Sequence, residues 1–293
     1  MGWLSDLADI CQADAPLCEH TWYGLGGPAR WLFTPRDEQE LSAVVVRCRE
    51  EGVCWRVLGR GANVLVSDEG FDGAVIKLVG PAWEEVRFDG TCVHAAAGVD
   101  FPKLVRMTVE QALLGLENLA GIPGTVGGVI RMNAGGRHGC IGQYVDRVRV
   151  MESDGQRGAR SAAELGFGYR SSRLDADIVT HATFALEPGD PVAGLAHHRE
   201  IWTEKAASQP PVAARSAGCI FKNPSGQAAG KLIDEAGLKG QRCGAAEVST
   251  RHGNFIVAHP GATAGDVLHL IGLVKERVRK STGLELELEI EVW

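Results

Sequence analysis

Glycine is concentrated in this chain in a way that restricts where regular structure can run. Of 38 glycines in 293 residues, three stretches are especially rich: GLGGPAR at 24–30, GRGANVLV at 59–66 and GIPGTVGGVIRMNAGG at 121–136. Glycine accepts positive φ and lets backbone N–H groups approach a ligand closely, which is the geometry that cradles a pyrophosphate. Neither of the two common nucleotide fingerprints is present. Gly59 and Gly61 are followed by Val64 where a dinucleotide motif needs its third glycine, and no Gly-Lys-Ser/Thr occurs. Any one stretch alone reads equally well as a set of tight turns. Three of them, with Asn63 and Asn133 available to hydrogen-bond phosphate or ring atoms, favour a large nucleotide cofactor.

The segments between these stretches alternate helix and strand. DEQELSAVVVRCREEG places Leu41, Val44, Val45 and Cys48 on one helical face and Gly52 at a left-handed C-cap, so a helix is expected to end there. VCWRVLG and AVIKL read as strands. Asp89-Gly90 lies between two strand-like runs and predicts a hairpin whose two central residues both take positive φ. DFPKLVRMTVEQALLG predicts a helix capped by Asp100, with Phe101, Leu104, Val105 and Ala112 inward, ending near Gly115. A second Asp-Gly turn follows in VDRVRVMESDGQRG, then the strand DIVTHATFA, and the Pro-Gly stop before Pro191 suggests a domain boundary. The last third offers the polar helix LAHHREIWTEKAAS, the strand NFIVA, and a helix from Thr263 with Val267, Leu270, Ile271, Val274 and Val278 inward. LELELEIEVW closes the chain, with leucine, isoleucine and valine on one strand face and Glu285, Glu287, Glu289 and Glu291 on the other.

At 293 residues and 45% hydrophobic content the chain can fill the cores of about two domains. A net charge of -7 gives no footprint for nucleic acid or an acidic membrane, although a local basic site for a small anion is compatible with it. No apolar run reaches the roughly 20 residues that span a bilayer, and the first residues lack a basic segment followed by an apolar one, so a cytoplasmic protein is expected. The eight cysteines at 11, 18, 48, 54, 92, 140, 219 and 243 form no C-x-x-C pair and no zinc spacing, so reduced thiols and no metal are expected. Cys219 stands apart. In SAGCIFKNPSGQ it follows a glycine and precedes a Lys-Asn-Pro turn, where a thiol serves as a small hydrophobe or as a proton donor, nucleophile or ligand.

The ordered set HTWYGLGGPARWL, VLGRGANVLVSDEGFDGAVIKL, GLENLAGIPGTVGGVIRMNAGG, GYRSS, SAGCIFKNPSGQAAGKLIDEAGLKG, HGNFIV and LELEIE resembles the UDP-N-acetylenolpyruvoylglucosamine reductase family from about Thr21 onward. The resemblance implies an α+β fold: a two-part FAD-binding unit of the vanillyl-alcohol-oxidase (PCMH) type at 20–80 and 81–191, then a smaller α+β substrate-binding domain at 198–293. It implies NADPH-dependent, FAD-mediated reduction of UDP-N-acetylglucosamine enolpyruvate to UDP-N-acetylmuramate in peptidoglycan precursor synthesis. The partner is then a nucleotide-sugar substrate, with no nucleic acid, membrane or obligate protein partner. By the same correspondence the FAD-binding residues are Gly59, Arg60, Gly61, Ala62, Asn63 and Val64, and Gly121, Ile122, Pro123, Gly124, Thr125, Gly127 and Gly128, with Asn133 and Ala134. GRGAN holds no histidine that could tether a flavin covalently, so a dissociable FAD is implied.

Hydride addition to the enolpyruvyl methylene carbon leaves an enolate that needs a cationic or hydrogen-bonding neighbour and then a proton. The resemblance assigns enolate stabilisation to Arg170 and Glu289 and proton donation to Cys219, at a position where most members carry serine. Lys222, Asn223 and Lys231 correspond to contacts with diphosphate or carboxylate oxygens. From the residues alone, Arg170 also reads as one side of a surface ion pair, Cys219 as core filler and Lys231 as a solvated helix face. Periodicity alone does not distinguish Glu289 from its three neighbours. Two other readings fit the pattern less well. An alcohol oxidase of the same superfamily conflicts with the short C-terminal part and the missing tether, and a silent binding module conflicts with competent residue types at 170, 219 and 289.

Overall fold

The computed structural model describes residues 4–293. The chain forms two compact units from interleaved segments: Met1–Ala13, Trp31–Gly59 and Gly73–Thr203 in the first, Asp14–Arg30, Arg60–Asp72 and Glu204–Trp293 in the second. No helix among the described residues is long and apolar enough to cross a membrane, and none of the eight cysteines is in a disulfide.

The first unit is organised by a five-stranded sheet in the order Arg157–Ser161, Val145–Met151, Ile178–Ala185, Cys92–Ala96, Val86–Asp89, antiparallel throughout. Val145, Val148, Val150 and Met151 face the core while Asp146, Arg147 and Arg149 face solvent, with bulges absorbing the irregular spacing. The Glu38–Glu50 helix forms as its periodicity predicts. Asp37 caps it through Gln39 and Glu40 N–H, and Leu41, Val44, Val45 and Cys48 are buried. Gly52 at φ +66 then ends it while Val53 N–H reaches back to Cys48 C=O at 2.8 Å. Burial pushes the Cys48 thiol up to about 11, as expected of a core residue.

Two local expectations are corrected here. The hairpin exists, but Asp89 pairs with Cys92, so its two-residue turn is Gly90-Thr91 and only Gly90, at φ +57, is left-handed. That is the turn with glycine at the first central position, and it also matches the strand twist. The second helix spans only Phe101–Glu110, and the Asp100 side chain makes no cap bond. Ala112 sits at φ +58 rather than inward on a helix, because Leu113–Leu114 pairs with Glu187–Pro188 and Gly189 N–H bonds Ala112 C=O. Tertiary pairing outweighs helix propensity there.

The second unit is built around the Ala264–Thr282 helix. Thr263 and Asp266 form a capping box, and Val267, Leu270, Ile271, Val274 and Val278 are all buried. Asp68 adds a second cap, accepting Ala264 and Gly265 N–H at 2.8 and 2.9 Å. Against this helix lies the antiparallel sheet Arg242–Cys243, Ala246–Val248, Ile256–Ala258. The 24–30 glycine stretch is explained by packing: a Cβ on Gly27 would sit 2.4 Å from the Asp68 carbonyl oxygen, and one on Gly26 would sit 2.5 Å from Val66 Cβ.

The C-terminal alternation does not make one long strand. Residues 287–289 run beside 220–222, with Lys222 N–H to Glu287 C=O and Glu289 N–H to Ile220 C=O. Glu291–Val292 then pairs in parallel with Val64–Leu65. The segment changes partners around Ile290, and regular pairing is confined to its last turn of contacts. Leu286 and Ile290 nonetheless bury, so the predicted apolar face persists.

Candidate functional site

In the first unit the glycine segments meet each other. A Cβ on Gly59 would lie 2.7 Å from Thr125 Oγ1, and one on Gly127 would lie 3.1 Å from Ala97 Cβ, so neither position has ready room for a side chain. Gly121 and Gly124 take φ +73 and +126. Thr125 starts the Val126–Arg131 helix and accepts Gly128 N–H at 3.4 Å. Ile122, Pro123, Gly128 and Ala134 lie on the same run, partly exposed except Gly128, which is exposed.

Asn133 closes this segment and connects it to Arg170. It is buried at φ +41, its Nδ2 donates to Gly168 C=O at 2.7 Å, and its Oδ1 accepts Gly142 N–H at 3.0 Å. Both ends of the amide therefore brace protein backbone. Gly168 opens a tight turn in which Gly168 and Ser171 exchange N–H···O=C bonds of 3.0 and 3.3 Å, and Arg170 is its third residue. Arg170 occupies that place at φ +54, a conformation normally left to glycine or asparagine. Its guanidinium lies 5.0 Å from the Tyr169 ring centroid. Ser172 Oγ donates to Arg131 C=O and Arg131 Nη2 to Asp175 C=O, holding the turn against the end of the short helix.

In the second unit the remaining residues of the GRGAN turn meet the C-terminal segment. Gly61 is buried at φ +64, where a Cβ would sit 2.4 Å from His20 C=O. Asn63 accepts Glu291 N–H at 2.9 Å and donates its Nδ2 to Glu289 C=O at 3.0 Å. Ala62 and Val64 flank it, half-buried, and Arg60 is exposed. Cys219, half-buried, precedes Ile220, whose carbonyl accepts Glu289 N–H at 2.8 Å. Cys219 and Glu289 thus lie on directly bonded backbone segments. Burial differs along the row: Glu285, Glu287 and Glu291 are exposed, and Glu289 is half-buried.

The predicted anion contacts are placed less uniformly. Lys222 lies beside Cys219's strand, with Nζ 3.4 Å from Glu287. Asn223 turns its Oδ1 to Ala229 N–H at 2.9 Å, capping the start of the Ala229–Glu235 helix. Lys231 is exposed on that helix, 3.7 Å from Glu235.

Two residues that sequence reasoning passed over are built into this region. Asn254, 2% exposed, hydrogen-bonds the Ile220–Phe221 backbone. Tyr23 is fully buried and donates to Ile256 C=O at 3.0 Å, and burial raises its hydroxyl well above the ordinary range. The available signal was a polar side chain inside an apolar run, as in HGNFIV. Beside Asn254, burial and then Lys239 push His252 below the usual histidine value, and its Nδ1 accepts Asn254 N–H at 3.2 Å.

Gly59 and the 121–128 segment fit a large cofactor with a diphosphate, because a run without bulky side chains at Gly121, Gly124, Gly127 and Gly128 stays partly or fully exposed beside Gly59 and lets a ligand approach the backbone. The fold is shared with a known protein. A glucose dehydrogenase, Phl p 4.0202, superposes with a TM-score of 0.53 at 17% identity, over 72% of this chain and 51% of its own. The profile of the FAD binding domain matches residues 29–157. The protein is an FAD-dependent oxidoreductase with the vanillyl-alcohol-oxidase type of FAD-binding fold.

The profile of the UDP-N-acetylenolpyruvoylglucosamine reductase C-terminal domain matches residues 209–293. UDP-N-acetylenolpyruvoylglucosamine reductases of Moorella thermoacetica and Limosilactobacillus fermentum are each 42% identical, over 95% and 94% of this chain and 91% and 92% of theirs. The crystal structure of the Thermus caldophilus enzyme superposes with a TM-score of 0.83 at 41% identity, covering 97% of this chain and 98% of that one. The chain belongs to the UDP-N-acetylenolpyruvoylglucosamine reductase family.

Proposed function

We propose that this protein reduces UDP-N-acetylglucosamine enolpyruvate to UDP-N-acetylmuramate with NADPH, as a cytoplasmic step toward peptidoglycan. Bound FAD would accept a hydride from the nicotinamide and pass one to the enolpyruvyl methylene carbon. Gly59 to Val64 and Gly121 to Gly128, with Asn133 and Ala134, would hold it without a covalent bond. FAD binding is assigned to 20–80 and 81–191, and substrate binding to 198–293.

The chain's own residues supply the second half of the addition. As hydride reaches the methylene carbon, negative charge moves onto the neighbouring carbon and its carboxylate. Arg170 offers a planar fork of donors suited to that carboxylate, and Glu289 in its acid form would donate a hydrogen bond to the enolate oxygen. Cys219 gives its proton to the carbon, leaving a thiolate that solvent reprotonates, so one hydride and one proton have crossed the double bond. Lys222, Asn223 and Lys231 present donors to the diphosphate and carboxylate oxygens.

The observation that carries this reading is the direct backbone bond between the Cys219 and Glu289 segments, with Glu289 alone of its row withdrawn from solvent. The test is anaerobic incubation of FAD-loaded protein with NADPH and the enolpyruvyl nucleotide sugar, followed by mass analysis. A product heavier by two hydrogens, formed in step with NADPH oxidation, is expected. NADPH consumption with the nucleotide sugar unchanged would overturn the reading.

A further inference from the structure

Asn254 has a buried carboxamide with no part in the chemistry described so far, and all its polar atoms engage backbone or ring nitrogen. Its Oδ1 accepts Phe221 N–H at 2.9 Å, and its Nδ2 donates to Phe221 C=O at 2.7 Å. Its own carbonyl accepts Ile220 N–H at 2.9 Å, and its own N–H donates to His252 Nδ1 at 3.2 Å. The side chain thus acts as a one-residue strand, reading both peptide groups of Phe221. On the other side of the same segment, Ile220 C=O accepts Glu289 N–H and Lys222 N–H bonds Glu287 C=O.

We propose that Asn254 is a positioning residue for the reduction: its carboxamide anchors both peptide groups of Phe221 and so holds in place the segment that carries Cys219, to which the segment that carries Glu289 is bonded from the other side. An amide has one donor and one acceptor, and both are taken up by the N–H and C=O of one buried residue, Phe221. Removing the carboxamide leaves both groups without that partner, so the segment has to shift or admit water to satisfy them. Such a shift moves Cys219, two residues away, relative to Glu289. The pairing on the other side is short, one Phe221–Leu288 bridge with two backbone bonds, and does not replace the lost anchor. Asn254 acts through Cys219 and Glu289 and needs no contact with substrate.

The proposal rests on the roles given above to Cys219 and Glu289, and its test separates the two. Asn254→Ala and the milder Asn254→Ser are loaded with FAD, reduced by NADPH, and mixed anaerobically with UDP-N-acetylglucosamine enolpyruvate. Flavin reduction should stay within about 2-fold of wild type, while reoxidation by substrate slows about 10- to 100-fold in Asn254→Ala, as expected for displaced reacting groups. A merely structural role would give the same fold loss in any background. Here the loss should shrink to about 2-fold when Asn254→Ala is combined with Cys219→Ala or Glu289→Gln. Wild-type reoxidation in Asn254→Ala, with Cys219→Ala and Glu289→Gln impaired, overturns the proposal alone. So do equal losses in all backgrounds, or the failure of both Asn254 variants to fold and hold FAD. Wild-type reoxidation in Cys219→Ala and Glu289→Gln removes the underlying reading instead.

Discussion

Replacing Arg170 by glycine and by alanine separates what its backbone costs from what its side chain does. Arg170 sits at φ +54, and an L-residue in this region costs about 1–2 kcal/mol that glycine does not. Glycine gives back about 0.5–1 kcal/mol through the greater freedom of its unfolded chain. Both variants lose the same contact with the Tyr169 ring, so it cancels between them. Arg170→Gly should therefore be more stable than Arg170→Ala by about 0.5–1 kcal/mol, the reverse of the order on an ordinary exposed helix or strand. Thermal unfolding of both FAD-saturated variants reads this as a difference of about 1–2 °C. Both should accept electrons from NADPH yet lose about 100-fold or more in reoxidation by the enolpyruvyl substrate, the scale of removing a preorganised donor. An alanine variant at least as stable as the glycine one would refute the strain argument. Wild-type reoxidation in either would take Arg170 out of the reaction.

Arg170→Lys should fold and be reduced by NADPH but lose most substrate reoxidation, since an ammonium lacks the planar fork; rapid-mixing kinetics of the two half-reactions decides. Glu289→Gln should behave likewise, while Glu287→Gln, at an exposed side chain beside Lys222, should be silent in the same assay. Cys219→Ser should keep substantial activity and Cys219→Ala should lose proton transfer. Wild-type turnover should also fall as pH rises through the thiol's titration, a limb that a pH–rate profile of Cys219→Ser should lack. Stability should decline in acid through His252, whose folded value lies below the ordinary 6.5. The fold holds the neutral ring, so its contribution is full above that pH and is lost as pH falls through the folded value. Denaturation midpoints across this range should decline less steeply in His252→Gln.

The features legible in the sequence are those fixed by neighbours along the chain. Asp37 with Leu41, Val44, Val45 and Cys48, and Thr263 with Val267 through Val278, carry cap and period together, and both helices form where expected. The features that were not legible depend on distant partners. Ala112 leaves its helix because Leu113 and Leu114 pair with residues some 75 positions later. The C-terminal glutamates look alike until residues 220–222 and 63–67 bury one of them. Asn254 reads as the first residue of the strand NFIVA, and only the fold reveals Phe221 within reach of both ends of its amide. Asn63 and Asn133 direct side-chain amides to Glu289 C=O and Gly168 C=O, partners 226 and 35 positions away that the sequence does not show.

The most direct test of the account is a double-mixing experiment without oxygen. FAD-loaded wild-type protein is first bleached by one equivalent of NADPH and then mixed with UDP-N-acetylglucosamine enolpyruvate, with Glu289→Gln treated in parallel. Rapid return of the yellow flavin band in wild type, and bleaching without return in Glu289→Gln, is the predicted result. Flavin that stays bleached in wild type, or returns equally fast in both proteins, would contradict it.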